Sequence, residues 1–144
     1  MRSHEVSALR SSDELMDPRN TAPVCGVLRV VDDMRALSYG LGQQYFEERD
    51  YRGAIRALKP VVDETPDDVG TRLLLARAYY HAALLKPAEE HLLEVIEREP
   101  TEYYAHLMLA RTLERQSRRD EAGKHRRIAA ALTGDDELLQ GHTL

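Results

Sequence analysis

A spacing of 34 residues recurs three times along this chain and constrains its fold more than any other feature. The first copy contains Leu41, Gly42, Tyr45, Ala54, Leu58, Val61 and Pro66. The same spacing then leads to Leu75, Ala76, Tyr79, Ala88, Leu92, Val95 and Pro100, and next to Leu109, Ala110, Leu113, Ala122, Arg126, Ala129 and Gly134. A fixed period of a few tens of residues indicates stacked units, each of which buries its apolar face against its neighbours.

Within each copy the apolar residues recur every three or four positions, which predicts two helices per copy. The six predicted helices cover residues 36–48, 51–64, 69–82, 86–98, 103–116 and 119–132. Asp50 and Asp68 are suited to cap helix N-termini, and Gly134 is suited to a left-handed C-terminal cap. A short final helix after Gly134 would cover the outer face of the third copy, because terminal repeats need a cap.

Helix–turn–helix units of 34 residues with these small and apolar positions resemble tetratricopeptide repeats. The resemblance covers about residues 35–136 and is stronger in the first two copies than in the third. It implies an all-α helix-turn-helix solenoid of three repeats (35–68, 69–102 and 103–136), a protein-interaction role and no reaction. The chain departs from the family where a large aromatic residue usually stands, at Ser38, Arg72 and His106. It also departs at Arg126, which replaces an apolar residue and is expected to face solvent at the end of the stack.

In this family the first helix of each repeat lines a concave groove. The matching positions imply a peptide-binding groove formed by Tyr39, Gln43, Phe46, Leu73, Arg77, Tyr80, His81, Tyr104, Leu107 and Arg111. Aromatic residues beside arginines are typical of interfaces, and a guanidinium can bind a carboxylate through two hydrogen bonds. The expected ligand is therefore a peptide segment or helix with apolar and acidic residues. The alternative is that several of these side chains pack against residues 23–34 or a neighbouring repeat.

One family subtype binds the C-terminal carboxylate of chaperone tails with a clamp rich in lysine and asparagine. The five matching positions here contain no cation, which argues against that partner: Tyr39, Gln43, Leu74, Tyr104 and Met108.

Composition and motifs argue against catalysis and against a cofactor. Cys25 is the only cysteine, and the six histidines lack the spacing of a metal site. No nucleophile elbow and no glycine-rich phosphate loop occurs. The net charge of −5 does not by itself favour nucleic acid or an anionic membrane. The acidic residues of the fourth helix, Glu89 among them, are interpreted as a solvated face.

The first twenty residues lack the apolar core of a secretory signal, and Thr21–Val31 is too short to span a membrane. A cytoplasmic location is therefore expected. The 17 arginines against 3 lysines are typical of a GC-rich bacterial coding sequence.

The segments outside the repeats leave alternatives open. Residues 1–22 form a predicted flexible extension, 23–34 a helical extension, and 137–144 a short cap or tail. Residues 23–34 can fill the groove, extend the first helix or mediate self-association. A homo-oligomer could form through Val24–Val31 or Leu138-Leu139. A third alternative is weak nucleic-acid binding through the basic helix 118–127, although no aromatic residues stand among its cations.

Overall fold

Every regular element in the described part of the chain is helical. The computed structural model of the protein describes the backbone of residues 22–140 and the side chains of residues 29–140. The elements are α1 Ala22–Glu47, α2 Tyr51–Glu64, α3 Val69–His81, α4 Leu85–Arg98, α5 Tyr103–Arg115, α6 Arg119–Thr133 and a 3₁₀ turn, Asp136–Leu139. The prediction of an all-α helical repeat is confirmed. The interpretation of residues 1–22 as flexible concerns a segment that, except for Ala22, lies outside the described residues.

Helix α1 is longer than the sequence predicted. The predicted start was residue 36, whereas the helix begins at Ala22 and continues to Glu47. The ends of the other five helices differ from the predicted ends by at most one residue. None of the helices in residues 22–140 combines the length and the apolarity that a membrane span requires.

Contacts between residues divide the chain into a unit up to Leu37 and a second unit from Ser38 onward. The first unit is described only through the helical residues 22–37. Three of its apolar side chains are exposed to solvent: Val30 by 58%, Met34 by 62% and Leu37 by 73%.

The helix ends follow the predicted capping residues. Asp50 accepts a hydrogen bond from the backbone N–H of Gly53 at 2.9 Å, and Asp68 accepts one from that of Thr71 at 3.1 Å. These bonds satisfy backbone donors that the first turn of a helix leaves unpaired. Gly134 has a left-handed φ of 73°, which glycine adopts without steric cost, and it ends α6.

The second unit has two adjoining apolar cores, which share the middle repeat. One is built mainly from α2, α3 and α4: Ala54, Leu58, Val62, Leu74, Leu75, Ala78, Tyr79 and Ala88. The other comprises Ala76, Leu92, Val95, Ala105, Met108, Leu109, Ala110, Leu113 and Ala122. Each helix pair therefore contributes to burying its neighbours, as in stacked repeats.

The small repeated residues lie where helices approach closely. Ala76, Ala88 and Ala110 are completely buried. At Gly42, an added Cβ would lie 2.5 Å from the Cγ and Cδ2 atoms of Leu58, which is itself fully buried. The prediction that these positions require small side chains for packing is confirmed.

Arg126 does not face solvent, so the expectation from the sequence was wrong. The residue is only 6% exposed, and its Nε and Nη2 atoms donate to the two carboxylate oxygens of Glu114 at 2.6 and 2.7 Å. Its Nη1 atom donates to the backbone carbonyls of Leu138 at 3.2 Å and Gln140 at 3.4 Å. The residue that interrupts the apolar pattern thus binds the C-terminal 3₁₀ turn to the last helix pair.

Candidate functional site

The ten predicted groove residues all lie on α1, α3 and α5, the first helices of the three repeats. We call this set the first-helix face: Tyr39, Gln43, Phe46, Leu73, Arg77, Tyr80, His81, Tyr104, Leu107 and Arg111. Gln43 and His81 are exposed, whereas Leu107 is buried at 7% exposure. The other seven are half-buried, and their five apolar or aromatic members pack against the two cores. Several of these residues therefore have a structural as well as a surface role.

Arg77 joins side chains from all three first helices. Its guanidinium carbon lies 4.7 Å from the ring centroid of Phe46 on α1 and 5.5 Å from that of Tyr104 on α5. A cation within about 6 Å of an aromatic ring is attracted by the ring's negative face, typically by about 0.5–1 kcal/mol at a partly exposed site. The structure thus brings together predicted residues from repeats one, two and three.

Two further residues belong to the same surface but were absent from the predicted set. The guanidinium of Arg115 lies 4.8 Å from the ring centroid of Tyr80, and its Nη1 atom donates to the carbonyl of Tyr80 at 2.9 Å. Tyr51, the first residue of α2, stacks on His81 at 4.9 Å between centroids, and Phe46 contacts both rings edge-on. Tyr51 was missed because it begins a second helix, although it follows directly after the turn that ends α1.

The arginines give this face a positive potential. No described carboxylate forms an ion pair with Arg77, Arg111 or Arg115. The pKa of His81 is lowered from 6.5 by burial and then by the positive charges of Arg77 and Arg115. Because these cations are not neutralised internally, the face favours a ligand with negative charge.

The basic segment 118–127 is more neutralised than its composition suggested. Arg118 pairs with Glu89 at 2.8 Å and with Glu121 at 2.6 Å, and Arg126 pairs with Glu114. The interpretation of Glu89 as solvated was wrong, since its side chain is only 16% exposed and joins α4 to the residue before α6. These ion pairs reduce the cationic surface that a nucleic acid could contact. Within residues 22–140, no three His, Cys, Asp or Glu side chains are grouped as a metal site requires.

Comparison with known proteins identifies the repeat. Residues 45–110 match the family model for the tetratricopeptide repeat. The crystal structure of MamA protein is similar with a TM-score of 0.67 and 25% identity, over 72% of this chain and 56% of the MamA chain. The chain thus spans little more than half of that protein. No curated protein sequence matches closely enough to indicate a relative.

Two other solved structures share the fold at lower identity. YrrB, described as a tetratricopeptide repeat protein with an unusual peptide-binding site, has a TM-score of 0.69 and 20% identity, over 73% of this chain and 54% of its own. The TPR2B domain of yeast Sti1, in complex with pHsp70, has a TM-score of 0.67 and 17% identity, over 74% and 93%. The 34-residue period, the helix pairs, the family match and these folds lead to one conclusion: the chain belongs to the tetratricopeptide repeat family.

Proposed function

We propose that the protein is a non-catalytic adaptor in the cytoplasm whose first-helix face binds a peptide segment or helix containing apolar and acidic residues. The observation that carries this proposal is Arg77, which contacts Phe46 and Tyr104 on the two neighbouring first helices and has no carboxylate partner. The ligand is the source of the missing negative charge. The face is unlike the chaperone-tail clamp, because the cations of that clamp are absent from the matching positions.

The chemistry of this surface supports a protein ligand. Aromatic side chains offer rigid apolar area, and an arginine held against their rings loses little conformational freedom on binding. Such a guanidinium can bind a carboxylate through two parallel hydrogen bonds. The printed descriptions of YrrB and of the Sti1 domain, which refer to a peptide-binding site and to a complex with pHsp70, support the same class of partner.

Variants of the first-helix face test this proposal with peptides selected from a random dodecapeptide phage library. We expect the selected peptides to be rich in Asp or Glu beside Leu, Ile or Phe. Arg77→Ala and Tyr80→Ala should each weaken binding about tenfold or more, because interface energy is concentrated in a few aromatic and arginine residues. Arg77→Glu should weaken binding further, since it places a like charge against an acidic ligand. Dissociation constants measured by fluorescence anisotropy would report these losses.

Arg56→Ala is the matched control, because Arg56 is an exposed arginine on the second helix α2. It should leave the affinity within about twofold, as expected of a surface change outside a binding site. Circular dichroism should show the same helical content for every variant. If Arg56→Ala abolishes binding while Arg77→Glu and Tyr80→Ala do not, the first-helix face is not the binding surface.

From a different observation we infer a second candidate function, self-association through α1. Val30, Met34 and Leu37 are exposed at alternating steps of four and three residues, a spacing that forms an apolar seam between paired helices. The wild-type protein should then sediment as a dimer at high concentration, and Met34→Glu should return it to a monomer. A constant monomer mass for the wild type across all concentrations would reject self-association.

A further inference from the structure

Repeats two and three each contain a polar junction at matching positions between their two helices. In repeat two, Arg72 Nη1 lies 3.1 Å from His91 Nδ1, and Arg72 Nη2 donates to the carbonyl of Pro66 at 3.3 Å. In repeat three, His106 Nδ1 lies 3.1 Å from His125 Nδ1, and His106 Nε2 lies 2.8 Å from the carbonyl of Pro100. All three positions of the second junction are 34 residues after those of the first. The departures from the family pattern at Arg72 and His106 are therefore partners in a repeated hydrogen-bond network.

These junctions are largely shielded from water. Arg72 is 7% exposed and His106 is 3% exposed, while His91 and His125 are half-buried. His91 also stacks on Tyr79 with 5.4 Å between ring centroids and 9° between the planes. Because buried polar groups are costly without partners, the protonation state that satisfies each junction is well defined.

In repeat three, the carbonyl of Pro100 fixes the proton positions. A carbonyl only accepts, so His106 Nε2 must carry the proton that it donates. A neutral His106 then has its lone pair on Nδ1 and accepts from the Nδ1–H of His125. One added proton can reside on His125 Nε2 without disturbing this bond. A second proton on His106 Nδ1 would place two N–H groups against each other.

In repeat two, the permanent charge of Arg72 makes the junction less tolerant. The guanidinium can only donate, so His91 Nδ1 must be an unprotonated acceptor. A single proton on that atom would place an imidazolium N–H against a guanidinium N–H at the position now joined by a hydrogen bond. Protonation thus removes the bond and adds repulsion between two cations.

We propose that the Arg72–His91 and His106–His125 junctions form an acid-sensitive latch that holds the helix pairs of repeats two and three together and releases them on acidification. The junction of repeat two opens with the first added proton, and that of repeat three opens with the second. The latch acts on the free protein and does not depend on the proposed function.

The charged groups around each histidine act in both directions. Burial and then Arg72 lower the pKa of His91 from its usual 6.5, opposed by Glu90 and Glu94 on α4 and by Asp63 on α2. Burial and then His106 lower the pKa of His125, with Lys124 adding to the decrease and Glu121 opposing it. Glu121 is itself bound to Arg118. The net effect in both cases favours the neutral ring in the folded protein.

Lowered histidine pKa values determine how stability depends on pH. The unfolded chain binds protons near pH 6.5, whereas the folded junctions bind them only at lower pH. The full stability is therefore present above that value and is lost as pH falls from 6.5 toward the folded-state pKa. Each unit of lowering increases the unfolding equilibrium constant about tenfold in acid.

Urea denaturation at pH 7.5 and pH 5.0 tests the latch in the full-length protein. The double variant His91→Asn/His125→Asn keeps an amide acceptor and an amide donor near the Nδ1 positions but cannot be protonated. We expect the wild type to lose midpoint concentration in acid, and the double variant to lose less than about half as much because two titrating groups are gone. His81→Asn removes a histidine outside the junctions, so it should retain most of the wild-type loss. An equal acid-induced loss in the wild type and the double variant would overturn the proposal.

NMR of the wild type provides a second test that requires no variant. The ¹⁵N shifts of the imidazole rings at pH 7.5 should show an unprotonated Nδ1 in His91 and a protonated Nδ1 in His125. Titration should place both rings below 6.5. A protonated Nδ1 in the neutral ring of His91, or ordinary titration of both rings, would show that the latch does not exist.

Discussion

Replacing Glu114 with alanine is expected to destabilise the protein by about 3 kcal/mol, because the change leaves a buried guanidinium without its anion. Both oxygens of Glu114 accept from Arg126, which is 6% exposed and has no other described carboxylate partner. The loss is measured as a decrease in the free energy of unfolding at pH 7.5. It should also release the C-terminal turn, whose carbonyls accept from the same arginine.

The matched control is Glu94→Ala, which breaks the exposed pair between Glu94 and Arg98 on α4. Its cost should be below about 0.5 kcal/mol, since exposed pairs along a helix contribute little. Arg126→Leu should cost less than Glu114→Ala. It restores the apolar residue found in the other repeats, and Glu114, at 28% side-chain exposure, can be hydrated. A loss within about 1 kcal/mol of wild type for Glu114→Ala would mean that Arg126 regains solvent.

Ala76→Leu is expected to cost about 1–3 kcal/mol through overpacking. Ala76 is fully buried in a cluster that includes Leu92 and Leu109, so three additional carbon atoms require the helices to move apart. Ala88→Leu, at an equally buried position on the partner helix, should behave in the same way. Chemical denaturation of each variant measures the loss.

Glu90→Leu provides the comparison, because Glu90 is exposed on the same helix as Ala88. It should change the unfolding free energy by no more than about 0.5 kcal/mol. Gly42→Ala tests the same close packing in repeat one, where the new Cβ would meet the buried side chain of Leu58. Equal costs for Ala76→Leu and Glu90→Leu would contradict the helix packing described above.

The fold could be predicted from the sequence because its determinants are local or periodic. Asp50, Asp68 and Gly134 act within one helical turn, and the small residues at 42, 76 and 110 recur with the repeat. The length of α1 was less clear, because its early part contains Gly26 and the pattern was consistent with either one helix or two.

The polar junctions could not be predicted because they depend on partners far along the chain. Arg72 and His106 were noticed only as departures from an aromatic position, and each finds its partner 19 residues later on another helix. Arg126 resembled an exposed residue until Glu114 was found beside it. The signal available in the sequence was the matching of both junctions at the 34-residue period, which pairs the positions of His91 and His125.

The candidate binding surface was predicted in part. The positions on the first helices followed from the repeat, but the stacking of Arg77 between Phe46 and Tyr104 depends on how three helices are arranged in space. Tyr51 lies on a second helix and joins the surface through His81. Its contribution follows from the tight turn between α1 and α2 rather than from the helical pattern.

The most direct test of the binding proposal is an NMR titration of ¹⁵N-labelled protein with one peptide selected from the dodecapeptide library. The account predicts that the largest amide shift changes fall on residues 39–46 of α1, on α3 around Arg77 and on α5 around Arg111. It predicts little change along the exposed positions of α2, α4 and α6. Large changes on those second helices, with the amides around Arg77 unchanged, would contradict it.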